Sequence, residues 1–297
     1  MLGVILGAIS LILSVLLAVA IHSFTSFDIM SFSIFYVIPL GSIIIGTIAC
    51  LGYYWGLFIT NKKINFSLLI IGLLIPIIAY IGVQYGYYTT AYLDENMSLN
   101  YKMEGEHISN YAIGDSDEPL DFISFTKLMV DSRVISFYNR KRAIGDVEGN
   151  AILNWTFFII DGLGAIFGSI VALGLVKRNT KYCDDCKRYM KNKSILKFLA
   201  TDLDRTIRFQ DIDNLSPDKI KELFLPMEVG KNEHYEIIVH WCEMCDKGYL
   251  EMKYMEKNSK GEMTENDKRS KEFEISADTI KTIRELSHDG FMDKVPL

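Results

Sequence analysis

The first third of the chain has almost no charge. Residues 1–88 of the 297 contain only three formally charged side chains, Asp28, Lys62 and Lys63, and the other 65 lie beyond residue 93. In soluble domains about a quarter of the residues are charged. This scarcity excludes an ordinary soluble domain from the first third and points to an apolar environment.

Cysteine is also scarce, and the C-terminal part of the chain has no net excess of basic residues. The five cysteines comprise Cys50, in an apolar stretch, and two Cys-x-x-Cys pairs further on. This usage excludes a disulfide-dense secreted scaffold and favours a reducing compartment. Residues 177–297 carry 23 basic and 24 acidic side chains. That balance lacks the basic footprint of nucleic-acid-binding proteins, so we expect no nucleic-acid partner.

Four apolar stretches are long enough to cross a lipid bilayer, which takes about 20 helical residues. The stretches are residues 1–21, 34–60, 66–88 and 152–176. The first could instead be a cleaved signal peptide, because Ala18-Val19-Ala20 resembles a cleavage site. It lacks a positively charged start and exceeds the usual apolar length of a signal peptide, so we favour a retained helix.

Basic residues at the ends of the apolar stretches predict their orientation. Lys62 and Lys63 follow the second stretch, and Lys177 and Arg178 follow the fourth, so four spans place both pairs on one side. The positive-inside rule makes that side cytoplasmic. Basic residues 140–142 argue the other way, but they end a loop of about 60 residues, where the rule loses force. The cysteine pairs, which need a reducing side, decide for the cytoplasm.

The resulting prediction is a multi-pass cell-membrane protein with both termini in the cytoplasm. Residues 89–151 would form an extracytoplasmic cap. Within it, Ser116 and Asp117 before Pro119 predict a helix that runs to about Val130. A strand over residues 133–138 and a loop containing Gly145 and Gly149 would follow. Because no polar cluster here has catalytic spacing, a cap packed on the helix ends is favoured over a ligand-sensing surface.

Residues 177–297 predict a small cytosolic α+β domain. Ser216 and Pro226 bracket a helix of about two turns, and Ser276 caps a last helix that ends at Gly290. Residues 256–270 have the composition of a solvated loop. The predicted strands are residues 194–199, 203–209, 235–241, 249–255 and 273–275.

The two cysteine pairs of this domain have the spacing of metal ligands. Cys183 and Cys186 are separated by 55 residues from Cys242 and Cys245. Two such pairs supply the four thiolates of a tetrahedral structural zinc site. With their flanking strands they resemble a zinc ribbon, in which two knuckles clamp one ion. The separation exceeds the 15 to 20 residues of the compact pattern, and an insertion over residues 194–234 would explain it.

Two alternatives to this four-cysteine zinc site stay open. The pairs could form a thiol-redox relay, but acidic neighbours such as Asp184 and Glu243 would raise the pKa of the thiols, and no thioredoxin-like pattern surrounds them. His240 could replace a cysteine as a ligand, although a place on a partly exposed strand face is favoured. The remaining histidines, His22, His107, His234 and His288, are scattered and support no site.

Asp161 is the only charged residue inside the fourth apolar stretch. A carboxylate within a membrane span faces the bundle interior or water, because it is costly when charged and unpaired. It could respond to ions or protons, line a pore, or make an interhelical contact beside Gly162, Gly164 and Gly168. No basic side chain lies in any span to pair with it.

These features favour a non-enzymatic membrane sensor, effector or scaffold. Its zinc domain would recruit a cytosolic protein partner or assemble subunits into a homo-oligomer in the lipid bilayer. A second hypothesis is an oligomeric pore or channel that uses Asp161 and the glycine-rich helix faces, such as Gly52-x-x-x-Gly56. The third is the redox relay through the two cysteine pairs.

Overall fold

A computed structural model describes most of the chain. The described residues form two compact units, a bundle unit (Met1–Arg178) and a C-terminal unit (Asn179–Leu297). The predictions that involve Ser116, Asp117, Arg140, Lys141, Gly149, Arg178, Pro226 and Gly290 concern residues outside the described ranges. Those ranges are 1–35, 37–112, 119–139, 142–148, 150–177, 180–225, 229–230 and 232–288.

The bundle unit contains four long helices and one short helix. The four long helices are long and apolar enough to cross a membrane. The second helix begins at Leu40, directly after Pro39 and six residues later than predicted. In the segment before it, Ile34 and Ile38 form an isolated β-bridge. The helices are α1 (Leu2–Thr25), α2 (Leu40–Ile59), α3 (Phe66–Thr89), α4 (Phe122–Asp131) and α5 (Ala151–Lys177).

The four long helices alternate in direction. Gly3 and Gly7 of α1 lie against Leu57 and Tyr53 of α2, in reverse order along the chain. The Cys50 and Tyr53 side chains of α2 donate to the carbonyls of Gly72 and Leu68 in α3, again in reverse order. Between α3 and α5, the Tyr80 hydroxyl donates to the Phe158 carbonyl and the Ser169 hydroxyl donates to the Gly72 carbonyl, so these helices are also antiparallel. The Lys62–Lys63 turn and Lys177 therefore lie at the same end of the bundle, as the alternation of spans predicts.

Glycines allow the closest helix contacts in the bundle. A Cβ atom at Gly46 of α2 would collide with the Ala165 carbonyl of α5, and one at Gly168 would lie 2.6 Å from the backbone nitrogen of Thr47. Gly174 of the same helix has no atom within 4 Å of such a Cβ among the described residues. The small faces are therefore used between helices of one chain.

The cap, residues 89–151, packs on one end of the bundle. Phe125 of α4 and Ile108 are buried in one apolar cluster with Tyr80 and Tyr87 of α3. The helix begins at Phe122, because the Asp121 side chain accepts the Ser124 N–H at 2.7 Å. The cap strands are β1 (Tyr92–Leu93), β2 (Leu99–Asn100), β3 (Glu106–His107), β4 (Val134–Asn139) and β5 (Arg142–Glu148).

The cap strands form two small antiparallel sheets. The first has the order β2-β1-β3, and the second is a β4–β5 hairpin. Gly145 was expected in a loop but pairs with Phe137 across this hairpin. The strand predicted at residues 133–138 is confirmed with a shift of one residue, and the segment after it supplies its partner.

The C-terminal unit contains one antiparallel sheet with helices beside it. The strands are β6 (Tyr182–Cys183), β7 (Arg188–Tyr189), β8 (Lys191–Leu199), β9 (His234–Trp241), β10 (Gly248–Lys257), β11 (Met263–Glu265) and β12 (Lys271–Ile275); the helices are α6 (Leu203–Gln210), α7 (Pro217–Leu223) and α8 (Ala277–His288). The main sheet has the order β11-β10-β9-β8, and β12 also pairs with β10. A separate hairpin, β6–β7, precedes this sheet along the chain.

Apolar alternation along the central strands builds the core of this unit. Leu250 and Met252 of β10 and Ile237 of β9 are fully buried, while the residues between them are partly exposed. Ile280 of α8 and Phe209 of α6 belong to the same cluster. The helices therefore cover one face of the sheet, which is the expected arrangement for an α+β domain.

The strand predicted over residues 203–209 is wrong, because this segment is helix α6. The alternation of Leu203, Ile207 and Phe209 imitates a strand, but the Asp202 side chain accepts the Arg205 N–H at 3.0 Å and caps a helix. Likewise, part of the predicted loop over residues 256–270 forms strand β11 beside β10.

Candidate functional site

The first cysteine pair lies at the tip of the β6–β7 hairpin. Cys183 ends β6 and pairs with Arg188 of β7, which places Cys186 in the turn. Lys187, the residue after Cys186, has φ of 54°, in the left-handed region that is unfavourable for non-glycine residues. This conformation turns the chain back immediately after the second sulfur.

The second cysteine pair joins β9 to β10 with the same geometry. The Cys242 N–H donates to the Lys247 carbonyl at 2.9 Å, and the Asp246 N–H donates to the Cys242 carbonyl at 3.1 Å. Asp246, the residue after Cys245, has φ of 52°. The two turns are therefore equivalent knuckles built from unrelated parts of the chain.

The fold brings all four thiols together. Their sulfur atoms lie within 4.8 Å of one another, and the Cys183 and Cys245 sulfurs are 3.7 Å apart. Four sulfurs bound to one zinc ion at about 2.3 Å would lie about 3.8 Å apart at the corners of a tetrahedron. Cys183 and Cys242 are buried, whereas Cys245 is exposed. The cluster can therefore bind one metal ion near the surface.

The charge state of the cluster also fits a cation. Burial raises the pKa of the Cys242 thiol, but hydrogen bonds from the backbone N–H groups of Met244 and Cys245 outweigh burial and lower it. Conversely, the hydrogen bond with Cys245 raises the pKa of the Cys186 thiol. Metal binding requires deprotonated thiols, and a bound divalent ion compensates the repulsion between neighbouring thiolates.

Ion pairs hold the knuckles in place. Lys247 lies 3.6 Å from Asp185 and so connects the second knuckle to the first. Arg284 of α8 binds Asp246 at 2.8 Å, and Lys191 of β8 binds Glu243 at 2.6 Å. Asp185, Glu243 and Asp246 are thus each paired with a basic side chain, which reduces their opposition to thiolate formation.

His240 lies outside the metal cluster. Its Nε2 atom is 2.9 Å from the Glu251 carboxylate, and the ring is 1 % exposed. The expectation of a partly exposed strand face is therefore wrong. The hydrogen bond with His240 lowers the pKa of Glu251. The structure assigns His240 to a buried polar pair two residues before the second knuckle.

The geometry of the thiols favours a metal over a redox relay. All five cysteines are free thiols. The four sulfurs approach one another across the knuckles as well as within them, which is the arrangement of four ligands around one ion. The five strands of the main sheet are antiparallel, unlike the βαβ unit that surrounds thioredoxin-like pairs.

Asp161 has a partner that the sequence analysis missed. The Arg133 guanidinium of the cap donates to its Oδ2 atom at 3.0 Å, and the aspartate is 2 % exposed. As predicted, the partner does not come from a membrane-length helix; it comes from the cap. The position of Arg133 just after a predicted helix is the only sequence signal that could have suggested it.

Comparisons of the chain with protein-family models, with curated proteins and with solved structures found no match. The chain is therefore classified by its own geometry. It has four helices able to cross a membrane and a β-rich C-terminal unit with a four-cysteine cluster that could bind a metal.

Proposed function

We propose that the chain is an integral cell-membrane protein that acts as a sensor or effector. Its C-terminal unit would bind structural zinc in the cytoplasm and recruit a protein partner. The observation that carries this proposal is the four-thiol cluster that follows directly after the last membrane-length helix along the chain. Structural zinc sites of this kind hold small domains in one shape for recognition.

Exposed apolar side chains on α6 support partner recruitment. Leu203 is 70 % exposed and Ile207 is 65 % exposed, and they lie one helical turn apart. Phe209 of the same helix is buried in the core, so the helix is held firmly while it presents this pair. Contiguous exposed apolar groups on a soluble domain are typical of contact sites for proteins.

The bundle unit supports a sensing or transmitting role better than a pore. Gly52 and Gly56, the glycine face named for the pore hypothesis, lie against the backbone of α1 of the same chain at Leu6 and Gly3. Asp161 is paired with Arg133 at 3.0 Å. Both features that suggested a channel are therefore used within one chain, and an oligomeric pore remains the second proposal.

Reporter fusions test the orientation on which this proposal depends. Reporters placed after Asn61 and after Leu297 should both report a cytoplasmic location, and one inserted near residue 115 should report an external location. An external C-terminus would put the cysteine cluster on an oxidising side and would contradict the zinc domain as a cytosolic recruiter.

Recruitment itself is tested on the full-length protein after cross-linking in native membranes. We expect proteins cross-linked to the wild type to be lost in Cys245→Ser, and also in Leu203→Asp/Ile207→Asp, which leaves the zinc ligands intact. Cys50→Ser removes a thiol outside the cluster, and Lys219→Asp adds an acidic group at an exposed site of α7. Both should keep the partner. An unchanged set of cross-linked proteins in every variant would contradict recruitment.

A further inference from the structure

A cavity of about 300 Å³ lies between the bundle and the cap. Three of the four long helices, the loop after α1 and the cap contribute to it. His22 comes from α1, Asp28 from the loop after it, Tyr80 from α3 and Asp161 from α5, while Tyr101 and Arg133 come from the cap. At this size the cavity is at the lower limit of small-molecule sites, which span about 300 to 1,000 Å³.

Two buried side chains of the cavity have polar atoms without partners. The Oδ1 atom of Asp161 accepts no hydrogen bond from the described residues, although the residue is 2 % exposed. Neither ring nitrogen of His22 has a partner among those residues, and His22 is 7 % exposed. Buried groups without hydrogen bonds are unfavourable, so a molecule that supplies donors would stabilise this arrangement.

The charge of the lining determines the kind of molecule. It contains two carboxylates, Asp28 and Asp161, against the single guanidinium of Arg133, which is bound to Asp161. The Tyr87 hydroxyl donates to Asp28 at 2.9 Å but carries no charge to balance it. The lining therefore has a formal excess of one negative charge and favours a cation.

Aromatic rings form much of the cavity wall. The ring of His22 lies between Tyr87 and Tyr101, with centroid distances of 4.2 Å and 4.1 Å. Tyr80 and Phe158 line the side nearest Asp161, with ring centroids 5.3 Å apart. Aromatic faces attract cations and also accommodate an apolar or aromatic body.

An inorganic ion fits this cavity less well. Among the described residues, the only group of three or more side chains close enough to hold a metal is the cysteine cluster of the C-terminal unit. His22, Asp28 and Asp161 thus lie too far apart to coordinate one ion. An organic molecule, being larger than an ion, can reach more than one of them.

We propose that this cavity binds a small organic cation with a primary ammonium group on an apolar or aromatic body. The ammonium group donates to Oδ1 of Asp161 and is attracted by Asp28, while the body packs on the tyrosine rings. This proposal rests on the proposed sensing function and names the class of ligand that the protein senses. Ligand binding and partner recruitment are measured separately, so either can fail without the other.

The test uses full-length protein in lipid nanodiscs and three probes with one body and different head groups. The probes are 2-phenylethylamine, 2-phenylethanol and phenylacetate, followed by calorimetric titration and thermal unfolding. We expect saturable binding and a raised unfolding temperature for the amine only. Equal effects of the amine and the alcohol would indicate partition into lipid and overturn the proposal, and so would preferential binding of phenylacetate or no saturable binding of any probe.

Variants locate the binding in the cavity. Because hydrogen bonds to charged groups are among the strongest in proteins, Asp161→Asn should weaken amine binding at least about tenfold. Asp28→Asn provides a second variant if loss of the Arg133 pair prevents folding, and it should also weaken binding. Asp121→Asn, a matched control, changes an exposed carboxylate of the cap outside the cavity. Equal affinity in both cavity variants and the control would overturn the proposal.

Discussion

The two units of this protein combine apolar burial with different additional contacts. In the bundle unit, apolar side chains such as Leu13 and Leu16 are 57 % and 59 % exposed, and the interior combines apolar clusters with close glycine contacts and an ion pair. In the C-terminal unit, 17 apolar residues are buried in one cluster, and four thiols form a second centre.

The proposed locations, the bundle in a membrane and the C-terminal unit in water, account for this difference. Between helices in a bilayer, lipid is as apolar as leucine, so close packing and internal hydrogen bonds must provide the stability. A small domain in water gains stability by burying apolar area, and a metal supplements a core of limited size. The changes that damage one unit should therefore leave the other folded.

Removal of one metal ligand should have the largest effect. Zinc binding to four thiolates contributes about 10–16 kcal/mol in small metal-dependent domains, which equals or exceeds the stability of a typical domain. We expect Cys242→Ser to unfold the C-terminal unit and to leave the helices of the bundle intact. Limited proteolysis and far-ultraviolet circular dichroism measure the two outcomes. The matched control Cys50→Ser should behave like the wild type, since serine can keep the hydrogen bond to Gly72; unfolding of both units would refute their independence.

Breaking the buried ion pair should have the next largest effect, now confined to the bundle. Removal of one partner of a buried pair costs about 3–5 kcal/mol, and less here because the Arg133 side chain is 21 % exposed. We expect Arg133→Leu to destabilise the bundle and the double variant with Asp161→Leu to recover part of the loss. The free energy of unfolding in mild detergent measures both the loss and the recovery.

An exposed pair in the other unit provides the control. Arg208 and Asp204 are 3.0 Å apart with side chains 40 % and 74 % exposed, and exposed pairs contribute about 0–1 kcal/mol. Arg208→Leu should therefore change stability little. Equal effects in both units would mean that the Arg133–Asp161 pair is solvated rather than buried.

A single methyl group at a helix contact should have a smaller effect. Gly46→Ala would push its Cβ against the Ala165 carbonyl, and overpacking of this kind costs about 1–3 kcal/mol. Gly174→Ala, on the facing helix, meets open space and serves as the control. Gly248→Ala would crowd the buried Ile280 side chain and the His240 carbonyl, so any loss that it causes should fall on the C-terminal unit. We expect a loss of bundle stability in the first variant only, and equal losses at Gly46 and Gly174 would contradict close packing.

A substitution in the first knuckle should have the smallest effect on stability, and it should increase stability rather than lower it. Lys187 has positive φ, which costs about 1–2 kcal/mol for a residue other than glycine. Glycine removes that strain but gains chain entropy on unfolding, so Lys187→Gly should stabilise the C-terminal unit by about 1 kcal/mol or less. Asp246→Gly should gain less, because it also removes the ion pair with Arg284. Thermal unfolding with zinc present measures both, and a marked loss in Lys187→Gly would contradict the knuckle geometry.

The features that depend on local pattern could be predicted from the sequence. Run length alone located four long helices to within a few residues at most ends, and cysteine spacing identified the four thiols that the fold brings together. The start of α2 was misjudged because the apolar run continues through Pro39, where the helix begins. The segment at Leu203 was misjudged because a short amphipathic helix can alternate like a strand.

Features that depend on distant contacts could not be predicted in this way. Arg133 and Asp161 are 28 residues apart, and only the folded cap brings them together. The cavity around His22 also combines three long helices with the cap, so no single stretch of sequence contains its signal. Periodicity and spacing describe one element at a time, whereas these sites are made where several elements meet.

The metal content of the full-length protein tests the central claim most directly. Purified in detergent under reducing conditions, the protein should contain about one zinc ion per chain, with X-ray absorption showing four sulfur ligands at about 2.3 Å. A metal-free protein whose C-terminal unit resists proteolysis, or one with disulfides within each knuckle, would contradict the account.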